Sequence, residues 1–173
     1  MRHIFSKDKY PEVYRGYTYG GKYYCVSASG NIYEGAMPFV CVYKTDDEIW
    51  FLGTKSIVGE EIYIPSRNKT EYRRSLTWDQ AHDLTFKVRL HLIYDKFVAI
   101  GKVPSYKDIV KIDYDNNYYC IDSAYWVSRE DTIIHGFHVN QWGYLRGGAN
   151  KHDTTIGVVP LVKLRFKKGG EED

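Results

Sequence analysis

The apolar residues of this chain fall in short β-rich runs, separated by polar and glycine-containing turns. Residues 39–44 and 48–53 are two such runs, and the polar residues 45–47 between them complete the signature of a β-hairpin. Residues 54–76 mix charges with glycine and proline, which predicts a loop with at most a short strand at 62–64. Further strands are predicted at 23–28, 123–128, 133–140, 142–146 and 157–166.

Residues 77–92 predict the one long helix of the chain. Thr77 can cap the first turn, and Gln80 completes a capping box, which satisfies amide groups that have no partner inside the helix. Apolar residues then recur at three- and four-residue steps, as they do on the core-facing side of a helix: Trp78, Ala81, Leu84, Val88 and Leu92.

A second, shorter helix is predicted to begin after Ser105. The Ser105 hydroxyl can cap it, and Asp108 stands at the reciprocal position of a second capping box. Ile109 and Ile112 would then face the core. A run of aspartate and asparagine follows, and such residues favour a turn that ends the helix.

Composition indicates a folded domain of ordinary size. The chain has 173 residues, of which 43% are hydrophobic and 27% charged. Its net charge of +2, from 24 basic and 22 acidic residues, is too near neutral to favour a nucleic-acid partner. No apolar run approaches the roughly 18 residues of a membrane helix, so we expect no membrane association.

The chain is predicted to be one domain over residues 23–166, with an N-terminal arm at 1–22 and a flexible tail at 167–173. Charges interrupt the first ten residues where a signal peptide would be apolar, so a cytoplasmic location is expected. The cysteines at 25, 41 and 120 are an odd set without metal-ligand spacing. They predict buried free thiols in a reducing compartment.

Short motifs along the chain resemble, in their order, a known group of domains. They lie at 76–81 (LTWDQA), 101–109 (GKVPSYKDI), 124–129 (AYWVSR) and 137–143 (FHVNQWG), with 157–164 (GVVPLVKL) closing the series. This order is similar to bacterial and phage members of the C-type-lectin-like and formylglycine-generating-enzyme-like group. The resemblance spans roughly residues 76–165.

The resemblance implies an α+β fold of the C-type-lectin-like kind, with two helices packed on small twisted antiparallel sheets. The enzymes of the group resemble a copper oxidase that uses paired cysteines near the C-terminus. Cys120 is the last cysteine here, so that activity is not expected. The chain departs from the group's pattern at Lys102, Val103 and Val159.

The candidate metal-binding motifs of this sequence are incomplete. Asp113, Asp115 and Asn117 alternate like the start of a calcium loop, but the glycine and glutamate that such a loop needs at later positions are missing. His135 and His138 are three apart on a predicted strand, which points their rings to opposite faces. We therefore expect no metal, no cofactor and no catalytic residues.

The preferred hypothesis is a non-enzymatic binding module, encoded by a phage, that recognises a protein or a glycan through a tyrosine- and tryptophan-rich loop surface. It would be a virion component or an intracellular inhibitor of a host protein. The candidate binding residues cluster late in the chain among glycine and asparagine turns: Tyr118, Tyr119, Tyr125, Trp142, Tyr144 and Arg146. Two alternatives remain open, a nucleic-acid binder that uses the basic segment 67–74 and an enzyme of unrecognised type.

Overall fold

The computed structural model describes the backbone of residues 3–5, 15–28, 30, 32–57, 60–73, 76–91, 99–112 and 124–166. It also describes the side chains of these residues except 3–5, 60–64, 69–73 and 166. The described part contains two short helices, α1 (Trp78–His82) and α2 (Tyr106–Lys111). Its strands, in chain order, are β1 (His3–Phe5), β2 (Thr18–Val26), β3 (Ile32–Lys44), β4 (Glu48–Gly53), β5 (Glu60–Ile64), β6 (Lys69–Arg73), β7 (Thr85–Leu90), β8 (Ala99–Lys102), β9 (Tyr125–Glu130), β10 (His135–Val139), β11 (Leu145–Asn150) and β12 (Leu161–Phe166).

Six antiparallel strands form a closed barrel in the order β12-β4-β3-β2-β7-β8. The barrel closes where Leu161 and Val162 of β12 pair with Lys102 and Gly101 of β8. Farther along β12, the short strand β1 pairs in parallel. Closure gives every barrel strand two neighbours and so satisfies backbone groups that an open sheet would leave at its edges.

The expected α+β, C-type-lectin-like fold is wrong. The protein is mostly β, with 52% strand and 12% helix, and its main body is the closed barrel rather than two helices on small sheets. The difference has a local cause, because the long helix expected at residues 77–92 supplies most of the expected helix content. In the structure, α1 ends at His82 and the chain continues as strand β7.

β7 forms because its residues alternate strictly between buried and exposed. Phe86, Val88 and Leu90 are fully buried in the barrel, whereas the residues between them face outward. Leu84 and Val88 fit both a four-residue helical step and a two-residue strand step, so these two residues were consistent with either structure. The three consecutive alternations decide in favour of the strand.

The local cap and turn predictions are confirmed. Both capping boxes are present, with Gln80 N donating to Thr77 Oγ1 and Asp108 N donating to Ser105 Oγ. The predicted hairpin is the β3–β4 pair, and Thr45 Oγ1 accepts hydrogen bonds from two backbone N–H groups of its turn.

Several element bounds differ from the expected ones. β2 begins at Thr18, within the segment 1–22 that was assigned to an arm. The expected loop at 54–76 contains the β5–β6 hairpin. The tail at 167–173 lies outside the described residues.

A smaller antiparallel sheet of order β11-β10-β9 packs against the barrel. It divides the buried residues into two cores. The barrel interior and α1 form the first core, to which β9 contributes Trp126. The second core lies between the outside of β3 and β4, helix α2 and the small sheet, and β9 contributes Tyr125 and Val127 to it. The first three residues of β9 are therefore buried on both faces, and so is the whole of β4.

Two of the three cysteines are described, and both belong to the barrel core. Cys25 and Cys41 are buried thiols on neighbouring strands, at positions far apart along the ladder. Burial raises the pKa of Cys25, and it raises the pKa of Cys41 to about 11. Both are therefore protonated and poorly nucleophilic at neutral pH. Cys120 lies outside the described residues.

Helices in the described part of the chain are short. Neither of them is long and apolar enough to cross a membrane.

Candidate functional site

The loop between β10 and β11 has a fixed conformation that its own sequence determines. Asn140 Oδ1 accepts hydrogen bonds from the backbone N–H groups of Trp142 and Tyr144, each at 3.0 Å. The Asn140 N–H donates to the Tyr144 carbonyl at 2.8 Å, and the Gly143 N–H donates to the Asn140 carbonyl at 2.9 Å. Gly143 adopts φ 87°, in the left-handed region that glycine enters without strain. The loop is therefore held by hydrogen bonds at both ends.

This loop displays two large aromatic side chains. Trp142 is 68% exposed and Tyr144 is 56% exposed, although removing such rings from water is favourable. The Arg146 guanidinium lies 5.2 Å from the centre of the Tyr144 ring, within cation–π range. We refer to Trp142, Tyr144 and Arg146 as the loop site. All three were predicted as binding residues from the sequence.

The other predicted binding residues do not join the loop site. Tyr125 is only 1% exposed and packs in the second core, on the outside of the barrel. It is a core residue of β9 and is not available to a partner. Tyr118 and Tyr119 lie outside the described residues.

A half-buried histidine, His138, lies beside the loop site, and in the sequence it stands out only as a candidate metal ligand with His135. His138 on β10 is the cross-strand partner of Arg146 on β11 and of Trp126 on β9. Its ring meets the Trp126 ring edge to face, with centroids 6.5 Å apart. Among the described residues, His138 Nδ1 is a buried ring nitrogen with no hydrogen-bond partner. Burial lowers the pKa of His138; Asp153 acts in the opposite direction and Arg146 in the same one.

We expect the His138→Gln variant to lose part of the acid sensitivity of folding. Because the folded-state pKa of His138 lies below its unfolded value of about 6.5, the unfolded chain binds this proton first as the pH falls. Stability is then lost as the pH drops from about 6.5 toward the folded-state pKa, and it is regained on raising the pH. Urea unfolding at several pH values between about 7.5 and 5 measures the slope of the free energy of unfolding against pH.

His152→Gln is the matched control for this prediction. His152 is an exposed histidine in the turn after β11, so its replacement should leave the slope of the wild type unchanged. Equal slopes for the wild type and His138→Gln would contradict the prediction.

A second exposed apolar pair lies at the opposite end of the small sheet. Ile133 is 86% exposed and Ile134 57% exposed, in the turn between β9 and β10. Thr132 Oγ1 accepts hydrogen bonds from the backbone N–H groups of Ile134 and His135, which orders this turn. The pair lacks the aromatic rings and the guanidinium of the loop site. It is therefore a suitable control surface for substitutions in the loop site.

Residues 67–73 of the basic segment in the nucleic-acid alternative form the end of the turn and strand β6 of the β5–β6 hairpin. Arg67 is exposed at its turn, next to Asn68 with φ 46°. In the sequence of β6, Glu71 stands between Lys69 and Arg73, so an acidic residue interrupts the basic ones. The side chains of 69–73, and the whole of Arg74, lie outside the described part of the structure. Nucleic-acid binding by this segment stays a prediction.

Metal ligands do not converge in the described part of the chain. No group of three or more His, Cys, Asp or Glu residues there is placed to hold a metal ion. His135 Nδ1 is within 2.8 Å of Thr132 Oγ1, whereas His138 faces Trp126, so the two histidines have separate surroundings. Asp113, Asp115 and Asn117 are not among the described residues.

No family model, curated protein or solved structure matches this chain. No matching family therefore accompanies the resemblance of the motifs in residues 76–165. The fold that these motifs imply also differs from the observed barrel. What the chain does has to be inferred from its own exposed groups. Of those described, the loop site has the composition most typical of recognition surfaces.

Proposed function

We propose that this chain is a non-enzymatic binding module that recognises a protein partner through the loop site. The observation that carries the proposal is the exposure of Trp142 and Tyr144 on a loop that Asn140 holds in one conformation. Tryptophan, tyrosine and arginine are the residues that contribute most often to binding hot spots.

The rigidity of the loop supports the proposal as much as its composition does. Ordering a flexible loop on binding costs free energy, and a loop that is already ordered avoids that cost. Aromatic rings add large contact areas while losing little side-chain entropy. The loop site therefore has the contact area, the polar groups and the fixed backbone that tight binding needs.

A glycan is the second ligand class for the same site, because exposed aromatic rings also suit sugar faces. The position of the Arg146 guanidinium against the Tyr144 ring favours a protein partner over a glycan. The guanidinium is a charged donor that can reach carboxylates or carbonyls of such a partner. Both proteins and glycans are therefore tested as ligands of the loop site.

We expect the immobilised protein to capture one protein from bacterial lysates, which the phage resemblance makes the first source to try. Trp142→Ala should weaken binding of the captured protein about 30-fold or more, as loss of a hot-spot residue does. Tyr144→Ala should weaken it in the same direction. Affinities are measured by titrating the purified partner.

Ile133→Ala is the matched control, since it removes an exposed apolar side chain from the other end of the same sheet. It should bind like the wild type, and all three variants should melt like the wild type because the altered residues are exposed. Equal binding by the wild type and Trp142→Ala would contradict the proposal. Binding to glycans on an array, with no protein captured, would reassign the loop site to sugars.

A further inference from the structure

A cleft of about 540 Å³ lies where the barrel closes, between β8, β12, α2 and β9. Its volume is within the range of small-molecule sites in proteins. Its polar lining includes Lys102, Lys163, Ser105 and Ser128, and its apolar lining includes Ile100 and Leu161. None of these residues belongs to the loop site.

One of the two lysines in the cleft is already neutralised. Lys163 Nζ forms an ion pair with Asp108 Oδ1, and Asp108 Oδ2 accepts the backbone N–H of Ser105 at 2.9 Å. Asp108 is only 8% exposed, so both of its oxygens are used inside the protein. The carboxylate therefore fixes Lys163 and the start of α2, and its single negative charge is balanced by the Lys163 ammonium group.

Lys102 has no such partner. It is exposed at the end of β8, and it makes no hydrogen bond or ion pair with any part of the chain that the structure describes. Its cross-strand partners are Thr85 on β7 and Leu161 on β12, which carry no charge. Among the described residues that line it, the cleft thus contains one net positive charge within a partly enclosed space.

Exposed charges of both signs lie on the neighbouring elements. Lys87, the cross-strand partner of Ile100, is exposed on β7, and Lys107 is exposed on α2 beside Asp108. Asp83, two residues before Thr85, is an exposed carboxylate. The lining of the cleft itself keeps its net positive charge, and a net charge of one sign attracts ions of the other sign.

We infer that this cleft binds the oxyanion group of a small organic molecule, either a phosphate monoester or a carboxylate. Lys102 supplies the unneutralised ammonium group for the anion. Ser105 Oγ accepts the Asp108 N–H and so keeps its own proton to donate. Ile100 and Leu161 provide apolar contact for the rest of the ligand.

The test is a titration of the ¹⁵N-labelled full chain with AMP, inorganic phosphate and benzoate, followed by backbone amide shifts. AMP and benzoate represent the phosphate and carboxylate sources, and phosphate alone tests the anion without an apolar body. At least one probe should shift the amides of residues 100–103, 105 and 161–163 in a saturable manner. Lys102→Met should weaken binding of that probe about two- to five-fold, the effect expected for loss of an exposed charge.

Lys22→Met is the matched control. Lys22 is an exposed lysine of β2 that lies away from the cleft. It pairs with Arg89 of β7, whereas Lys102 pairs with Thr85, four residues earlier on the same strand. It should bind the probe like the wild type, and so should Trp142→Ala, which separates this site from the proposed protein-binding function. The inference is overturned if no probe shifts the cleft amides, if Lys102→Met binds as well as the wild type, or if Lys22→Met loses as much affinity.

Discussion

Replacement of Trp78 by alanine should lower the free energy of unfolding by about 3–5 kcal/mol, the usual cost of emptying a core aromatic site. Trp78 is 6% exposed and belongs to the barrel core. Its indole N–H donates to the Val127 carbonyl at 2.9 Å, which connects α1 to β9. The variant loses both the apolar burial and this buried hydrogen bond.

The neighbours of Trp78 add to the expected cost. The His82 ring stacks on the indole at 4.7 Å, and His82 Nδ1 is 2.7 Å from Ser128 Oγ on β9. Lys151 Nζ lies 4.5 Å from the indole centre and pairs with Glu130. Without the ring, Lys151 keeps its ion pair but loses the cation–π contact at a site where it is 4% exposed.

Urea unfolding measures this effect, and a domain with about 5–15 kcal/mol of total stability should respond strongly. Trp142→Ala is the control, because it removes the same side chain from a position that is 68% exposed. The control should change stability by no more than about 0.5 kcal/mol. A Trp78→Ala protein as stable as this control would show that the ring does not hold α1 against the small sheet.

Replacement of Gly136 by alanine should lower stability by about 1–3 kcal/mol, the usual cost of overpacking. A Cβ atom at Gly136 would lie 2.4 Å from Trp78 Cδ1 and 2.7 Å from its Nε1. The indole cannot move away freely, because its N–H is bonded to the Val127 carbonyl. Glycine at this position of β10 is therefore what lets the sheet approach the ring.

A double-mutant cycle isolates this contact. In a protein that already contains Trp78→Ala, the added methyl group has space, so Gly136→Ala should cost little or even restore some stability. Unfolding of the wild type, both single variants and the double variant by urea gives the coupling free energy. Strict additivity of the two changes would mean that the glycine is required for a reason other than the ring.

Local chemistry made parts of this fold predictable from the sequence. The caps at Thr77 and Ser105 and the turn at Thr45 depend on residues three apart or fewer, so each signal is complete within its own segment. The Trp142 and Tyr144 loop was found for the same reason, since Asn140 and Gly143 shape it without help from the rest of the chain.

Features that depend on distant partners were missed. The segment after α1 carries apolar residues that suit a helix at some positions and a strand at others, and pairing with β2 and β8 decides the outcome. The sequence places Tyr125 in the predicted strand 123–128 and groups it with the aromatic binding candidates late in the chain. It is buried because β9 lies between two cores, which only the packed structure reveals. The cleft likewise combines Lys102, Asp108 and Lys163 from three separate elements.

Closure of the barrel has a consequence for how the chain folds. β2, β3 and β4 are joined by short turns, so they can pair early and independently. β12 must find β4 and β8, which precede it by long stretches of chain, and such distant contacts slow folding. Until β12 arrives, β4 and β8 each expose an unpaired edge that can pair with another molecule. The rate at which β12 docks therefore sets how long a newly made chain is vulnerable to aggregation.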